Sequence, residues 1–175
     1  MLKARIMDPS EMRTALGGIC RASGRSPEYF MRRLAEPHRH GCVLLEEIRG
    51  GDSDAGDDAS GCSLFEEPVL RGFLMFSIDR KAGLVRIGES RVFPQAGPEG
   101  LAILVGHLGR ALEELGLAMP ISTVLAEDDP GMDSLRGLGF RAKALKRGQF
   151  GASRDGFELV LNRRQGGSVP DDALA

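Results

Sequence analysis

Long apolar runs are missing from the 175-residue chain: its hydrophobic stretches are short and broken by glycine or charge, and Met1-Leu2-Lys3-Ala4-Arg5 leads into a polar segment. Neither a membrane span nor a secretion signal is therefore expected. Cysteine is scarce and odd in number. Cys20, Cys42 and Cys62 have no metal-type spacing, which argues against a disulfide framework and predicts thiols in a cytoplasmic setting. Net charge is small as well: 23 basic side chains stand against 25 acidic ones, a formal charge of −2, so the basic excess of a dedicated nucleic-acid binder is absent. What is present is ordinary for a folded domain. Hydrophobic residues make up 42 % and charged ones 27 %, which argues against disorder and against a fibrous repeat. The length suits one core, so a single domain is expected over 1–165, with a loose tail over 166–175. Any function must reside in a local site.

Hydrophobic periodicity gives the order β α α β β β α β α β β. A strand over Lys3 to Met7 meets Asp8-Pro9-Ser10-Glu11, where Asp8 can cap, Pro9 suits a first helical position and Glu11 can reach back. Met12, Ala15, Leu16, Ile19 and Cys20 then recur at helical spacing. Ser26-Pro27-Glu28 caps a shorter helix carrying Tyr29, Phe30, Met31 and Leu34. Strands follow over Cys42 to Ile48 and Val69 to Ile78. Between them Arg49 to Ser63 is rich in Gly, Ala, Asp and Ser and reads as a mobile loop. Its Asp52, Asp54, Asp57 and Asp58 lack the glycine and closing glutamate of a calcium loop, so solvated acid is expected there. Leu84 to Phe93 completes an antiparallel hairpin.

Gly100 to Gly116 is the longest helical pattern, with Leu101, Leu104, Val105, Leu108, Ala111, Leu112 and Leu115 on one stripe. Ala102, Gly106 and Gly109 form a second, small-residue face; mid-helix glycine costs about 1 kcal/mol against alanine, so something is expected to pack close to that backbone. Ile121 to Ala126 is the next strand, Gly131 to Gly137 a short helix, and Phe140 to Lys146 with Phe157 to Asn162 a closing hairpin. Strand 84–93, helix 100–116 and strand 121–126 form a right-handed crossover, which makes those two strands parallel. The fold class expected is α/β (α+β), a mixed, mainly antiparallel sheet with helices on both faces.

The stretch Pro94-Gln95-Ala96-Gly97-Pro98-Glu99-Gly100-Leu101-Ala102 joins a central strand to the longest helix. Glycine there frees backbone N–H groups and removes Cβ atoms, and the helix dipole favours an anion. It predicts a phosphate or diphosphate cradle. Many such loops merely turn the chain, so the reading rests on its neighbourhood.

That neighbourhood resembles the GCN5-related N-acetyltransferase (GNAT) superfamily over Leu2 to Arg163. Val92-Phe93-Pro94 with Gly97, Gly100 and Ala102 is similar to the family's Val-x-Pro and (Arg/Gln)-x-x-Gly-x-(Gly/Ala) loop, with Gly97 where Arg or Gln is usual. Asp128 to Phe140 is similar to its Asn-x-x-Ala-x-x-x-Tyr-x-x-x-Gly-Phe run: Leu138-Gly139-Phe140 matches, Asp128 falls on the Asn, Gly131 on the Ala and Leu135 on the tyrosine that many members use as general acid. The resemblance implies a splayed pair of parallel strands at the centre of the sheet. It implies acetyl-CoA as cosubstrate, with backbone amides near Val92 and Phe93 along its pantetheine arm and those of Gly97, Pro98, Glu99, Gly100, Leu101 and Ala102 at its diphosphate, and Asp128 close by. An amine would attack the thioester directly, with no covalent enzyme intermediate. The alternative is a catalytically silent module of this fold that binds acyl-CoA or a protein partner.

Glu89 is the base candidate, since many relatives place a carboxylate in that part of the strand. Simple alternation puts it with Val85 and Ile87, opposite Val92 unless a bulge intervenes, and a surface carboxylate is the rival reading. Tyr29, on the helix bordering the acceptor groove in the family, and Glu127, at the end of the second parallel strand, are the acceptor-side candidates; helix packing is the rival for Tyr29. Asp128 fits helix capping equally well. His107 shares a helix face with Ile103, Arg110 and Glu114 and is expected to face solvent. His38 and His40 lack a third ligand, so no metal site is expected. Arg136, Arg141, Lys143, Lys146, Arg147 and Arg154 could attract a coenzyme's ribose phosphate or an acidic partner, or form a solvated hairpin face. The partner expected is a small-molecule or peptide amine, with no nucleic acid and no membrane, and with homodimer formation left open.

Overall fold

A computed structural model describes residues 1–35, 40–48, 68–97 and 99–163. The Asp-rich insert, Cys62, His38, Pro98 and the C-terminal tail over 166–175 lie outside the described residues. The chain runs β1 (Leu2–Ile6), α1 (Met12–Ser23), α2 (Pro27–Leu34), β2 (His40–Glu47), β3 (Val69–Asp79), β4 (Leu84–Val92), α3 (Gly100–Glu114), β5 (Ile121–Ala126), α4 (Gly131–Gly137), β6 (Arg141–Lys146) and β7 (Gly156–Leu161). Short 3₁₀ turns at Pro9–Glu11 and Pro94–Ala96 precede α1 and α3. At the first of these Asp8 Oδ1 accepts the Ser10 amide at 2.7 Å as a cap should, but Glu11 does not reach back: its carboxylate pairs with Arg5, which also grips Glu46 through two bonds of 2.8 Å.

The strands form one sheet in the order β1-β2-β3-β4-β5-β7-β6. Every pairing is antiparallel except β4 with β5, the pair joined by the α3 crossover. Each face carries a core, because strand side chains alternate. On one face α3 buries Leu104, Val105, Leu108 and Leu112 against Val43, Leu74, Val85 and Ile87. On the other, α1 and α2 bury Leu16, Ile19, Phe30 and Leu34 against Cys42, Leu44, Phe73 and Met75. Phe30 meets Phe73 edge to face with centroids 6.3 Å apart, a favoured aromatic geometry. Cys42 is sealed inside this second core, and burial pushes its thiol up to about 12.

Two features of α3 differ from the sequence reading. Nothing lies within 4 Å of a Cβ placed on Gly106, so this part of the small-residue face borders open space rather than a close neighbour. Arg163 passes over Gly109 at ordinary contact distance instead, its guanidinium donating to the Gly109 and Leu117 carbonyls at 2.7 and 3.1 Å. His107 is half-buried, and burial, more than neighbouring Arg110, lowers its pKa.

Candidate functional site

The parallel pair is short. Only Val85, Arg86 and Ile87 of β4 pair with Ile121, Ser122 and Thr123 of β5, the last contact reinforced by Thr123 Oγ1 donating to the Ile87 carbonyl at 3.3 Å. Beyond it the strands part, and a β-bulge shows why. Register against β3 passes from Phe76 opposite Ile87 to Met75 opposite Glu89, so Gly88 is an extra residue in β4. A bulge bends its strand and increases its twist, and this one leads β4 away from β5.

The bulge also decides where Glu89 points. Ile87 sits in the core under α3, but Glu89 pairs with Met75, which belongs to the α1/α2 face. Glu89 is thus half-buried on the face opposite Val85 and Ile87, not with them as unbroken alternation requires. Val92 returns to the α3 side, against Gly100. The Phe93 amide donates to the Arg71 carbonyl at 2.9 Å and is not available to a ligand. Alternation of the antiparallel ladder then turns the Ser90 and Val92 amides toward the gap.

At the mouth of the gap the chain makes the 3₁₀ turn and enters α3. Gly97 has φ 65° and ψ −175°, a conformation open almost only to glycine, and no atom stands within 4 Å of a Cβ built on it. Among the described residues the amides of Glu99, Leu101 and Ala102 meet no carbonyl, as befits a helix start. Gly100 is different. A Cβ there would stand 2.5 Å from Val92 Cγ1 and 3.2 Å from Leu45 Cδ2, and its amide donates to the Gly97 carbonyl at 3.4 Å. Its missing side chain seats α3 on the sheet and does not open space for a ligand.

On the α1/α2 side of the same gap lies a cavity of about 440 Å³, lined among others by Ile87 and Gly88 of β4, Thr123 and Val124 of β5, Arg33 of α2 and Phe150 of the β6–β7 loop. Tyr29 stays outside it. It packs edge-on against Phe30 and carries the Arg33 guanidinium over its ring at 4.7 Å, thereby steadying a residue that does line the cavity. Glu127 is exposed just past β5. Asp128 is exposed and paired with Arg154 at 2.7 Å, which holds its carboxyl below the ordinary aspartate range. The start of α4 is served by the neighbour Asp129, whose Oδ1 accepts the Gly131 amide at 2.8 Å. Leu135 is buried in the core under α3. The basic run is partly neutralised: Arg154 by Asp128, Lys146 by Glu158 at 2.9 Å and Arg136 by Asp133 at 3.6 Å.

No family model matches the sequence, nor does any curated protein. The three-dimensional comparison is decisive for the fold. The ribosomal-protein-S18-alanine N-acetyltransferase of Escherichia coli superposes with a TM-score of 0.65 at 16 % identity, over 96 % of this chain and 97 % of that one. NAA60 of Arabidopsis thaliana in complex with acetyl-CoA gives 0.64 at 14 %, over 92 % and 98 %. The Vibrio cholerae spermidine/spermine N-acetyltransferase SpeG gives 0.59 at 14 %, over 93 % and 92 %. The chain has the GNAT fold. Within that fold Glu89 and Val92 lie on opposite faces of β4 beside the gap, while Arg33 and Phe150, which the sequence did not single out, line the cavity together with His40. Periodicity marks which residues are buried; a cavity assembled from one helix, four strands and a loop leaves no local signal.

Proposed function

We propose that the protein transfers an acetyl group from acetyl-CoA to an amine by direct attack on the thioester. The observation that supports this best is the parting of β4 from β5 after three pairs, which leaves strand amides turned into a gap between the α3 start and the cavity. In this reading Ser90 and Val92 line the pantetheine arm, and the amides of Glu99, Leu101 and Ala102, beside the open backbone of Gly97, face the diphosphate. The open space over Gly97 and Gly106 suits close approach of such a ligand. Acetyl-CoA supplies an activated acyl carbon; the amine nitrogen bonds to it, the carbon–sulfur bond breaks, and the nitrogen gives up a proton. Glu89, half-buried on the cavity side of the sheet, receives that proton, directly or through water. Tyr29 acts on the acceptor side only through Arg33, whose guanidinium its ring supports, and Glu127 stands past the end of β5, outside the cavity lining. Leu135 offers no hydroxyl to the departing sulfur, but an alkyl thiol ionises at about 8.5, so a thiolate can leave unaided. That buried leucine also supports the second reading, a silent module that binds the coenzyme without turnover.

Gly106→Glu tests the proposal better than a change at Gly100, which would disrupt the core. It adds a carboxylate to an open helix face one turn from Ala102. Calorimetry should show acetyl-CoA binding weakened about tenfold or more, the equivalent of one repulsive charged contact, with melting unchanged or raised, since glutamate is the better helix former. Equal affinity would place the coenzyme elsewhere. Thiol release across a panel of amines then separates enzyme from module, since the module binds and releases nothing.

A further inference from the structure

We infer that the cavity selects amines that also carry an oxyanion, a carboxylate or a phosphate, and disfavours polycationic amines; the acceptor role of the cavity rests on the acyl-transfer reading above. Three observations converge. First, the sheet face under α1 and α2 changes character where the cavity opens. Its inner rows pair Leu44 with Phe73 and Cys42 with Met75, whereas the next row on that face runs His40, Ser77, Arg86 and Ser122 across four strands. Second, a cation is stationed at the bulge. A Cβ on Gly88 would lie 3.1 Å from Arg33 Nη1, so the glycine leaves that guanidinium its place, and Tyr29 supports it from the other side. Third, the lining contains Arg33, Arg86 and His40 but neither aspartate nor glutamate among the described residues.

The nearby carboxylates offset only part of this charge. Asp79 pairs with Arg86 at 3.8 Å, Glu158 is engaged by Lys146 at 2.9 Å, and Glu89 stands one row away, beside Met75. Arg33 has no carboxylate partner among the described residues. His40 Nδ1 is buried and meets no hydrogen-bond partner among the described residues. Guanidinium groups present forked donors that match carboxylate and phosphate oxygens, and the same charges repel a second ammonium.

Matched amines test the inference: propylamine against β-alanine, ethanolamine against O-phosphoethanolamine, and putrescine as the dication, compared by kcat/KM for thiol release. At least one anionic amine should exceed its neutral partner by about tenfold, and putrescine should be poorest; whichever pair responds identifies carboxylate or phosphate. Arg33→Gln, and separately Arg86→Gln, should shrink that ratio toward one. Neutral amines or putrescine used as well as the anionic ones, or a ratio untouched by both substitutions, would overturn it. A binding arm is independent of turnover: calorimetric titration of β-alanine and inorganic phosphate into wild-type protein and both variants. If acetyl-CoA neither binds nor reacts, the acyl-transfer reading fails, while anion binding lost in Arg33→Gln would sustain the anion site. No anion binding and no anionic preference would remove it.

Discussion

Gly97 and Gly100 occupy one short turn and meet opposite demands. Gly97 is exposed, with a backbone that other residues adopt at a cost, whereas Gly100 is buried against Val92 and Leu45. Gly97→Ala should lower unfolding free energy by about 1–3 kcal/mol through backbone strain alone, and chemical denaturation will show it; an unchanged midpoint would mean that the turn relaxes freely. Both glycines are visible in the sequence, but their different reasons are not, because the spacing does not tell which Cα faces the sheet. The same holds for the acids after β5. Asp128 and Asp129 are adjacent and chemically equal, yet Asp129 caps α4 and Asp128 reaches Arg154 across the β6–β7 loop, a contact that depends on a residue distant in sequence.

Elements were more legible than residues. The spans of β5 and α4 follow from the sequence without change, since a β-branched run and a Gly-flanked turn of helix are local signals. Strand register was not legible, because the bulge at Gly88 arises from pairing with β3, and it reverses the face of Glu89. Charges on the closing hairpin are partly structural. The Lys146 ammonium holds the Glu158 carboxyl below the usual glutamate range. Such a carboxylate adds stability above its unfolded pKa, about 4.3, and forfeits it as pH falls through the lower folded value. Stability should therefore decline on acidification below about pH 4.3, and Lys146→Met should flatten that part of the profile. A profile with the same slope in the variant would assign the acid sensitivity to other carboxylates, such as Asp128 beside Arg154.

For the molecule as a whole, the order of elements was readable because each strand and helix declares its period, and the crossover then allows one parallel pair. How far that pair extends was not readable, and this extent has a mechanical consequence. A sheet zipped for only three residues at its middle consists of two plates, β1 to β4 and β5 to β7, sharing a narrow seam. Besides α3 and the core it covers, the seam carries the Ser122 and Thr123 hydroxyls bonded to β4 carbonyls. Deuterium uptake should accordingly be faster for amides bridging Ile87 and Thr123 than for those inside either plate, and acetyl-CoA lodged between the plates should slow it like a rivet. Uniform uptake, indifferent to coenzyme, would mean that the plates move as one.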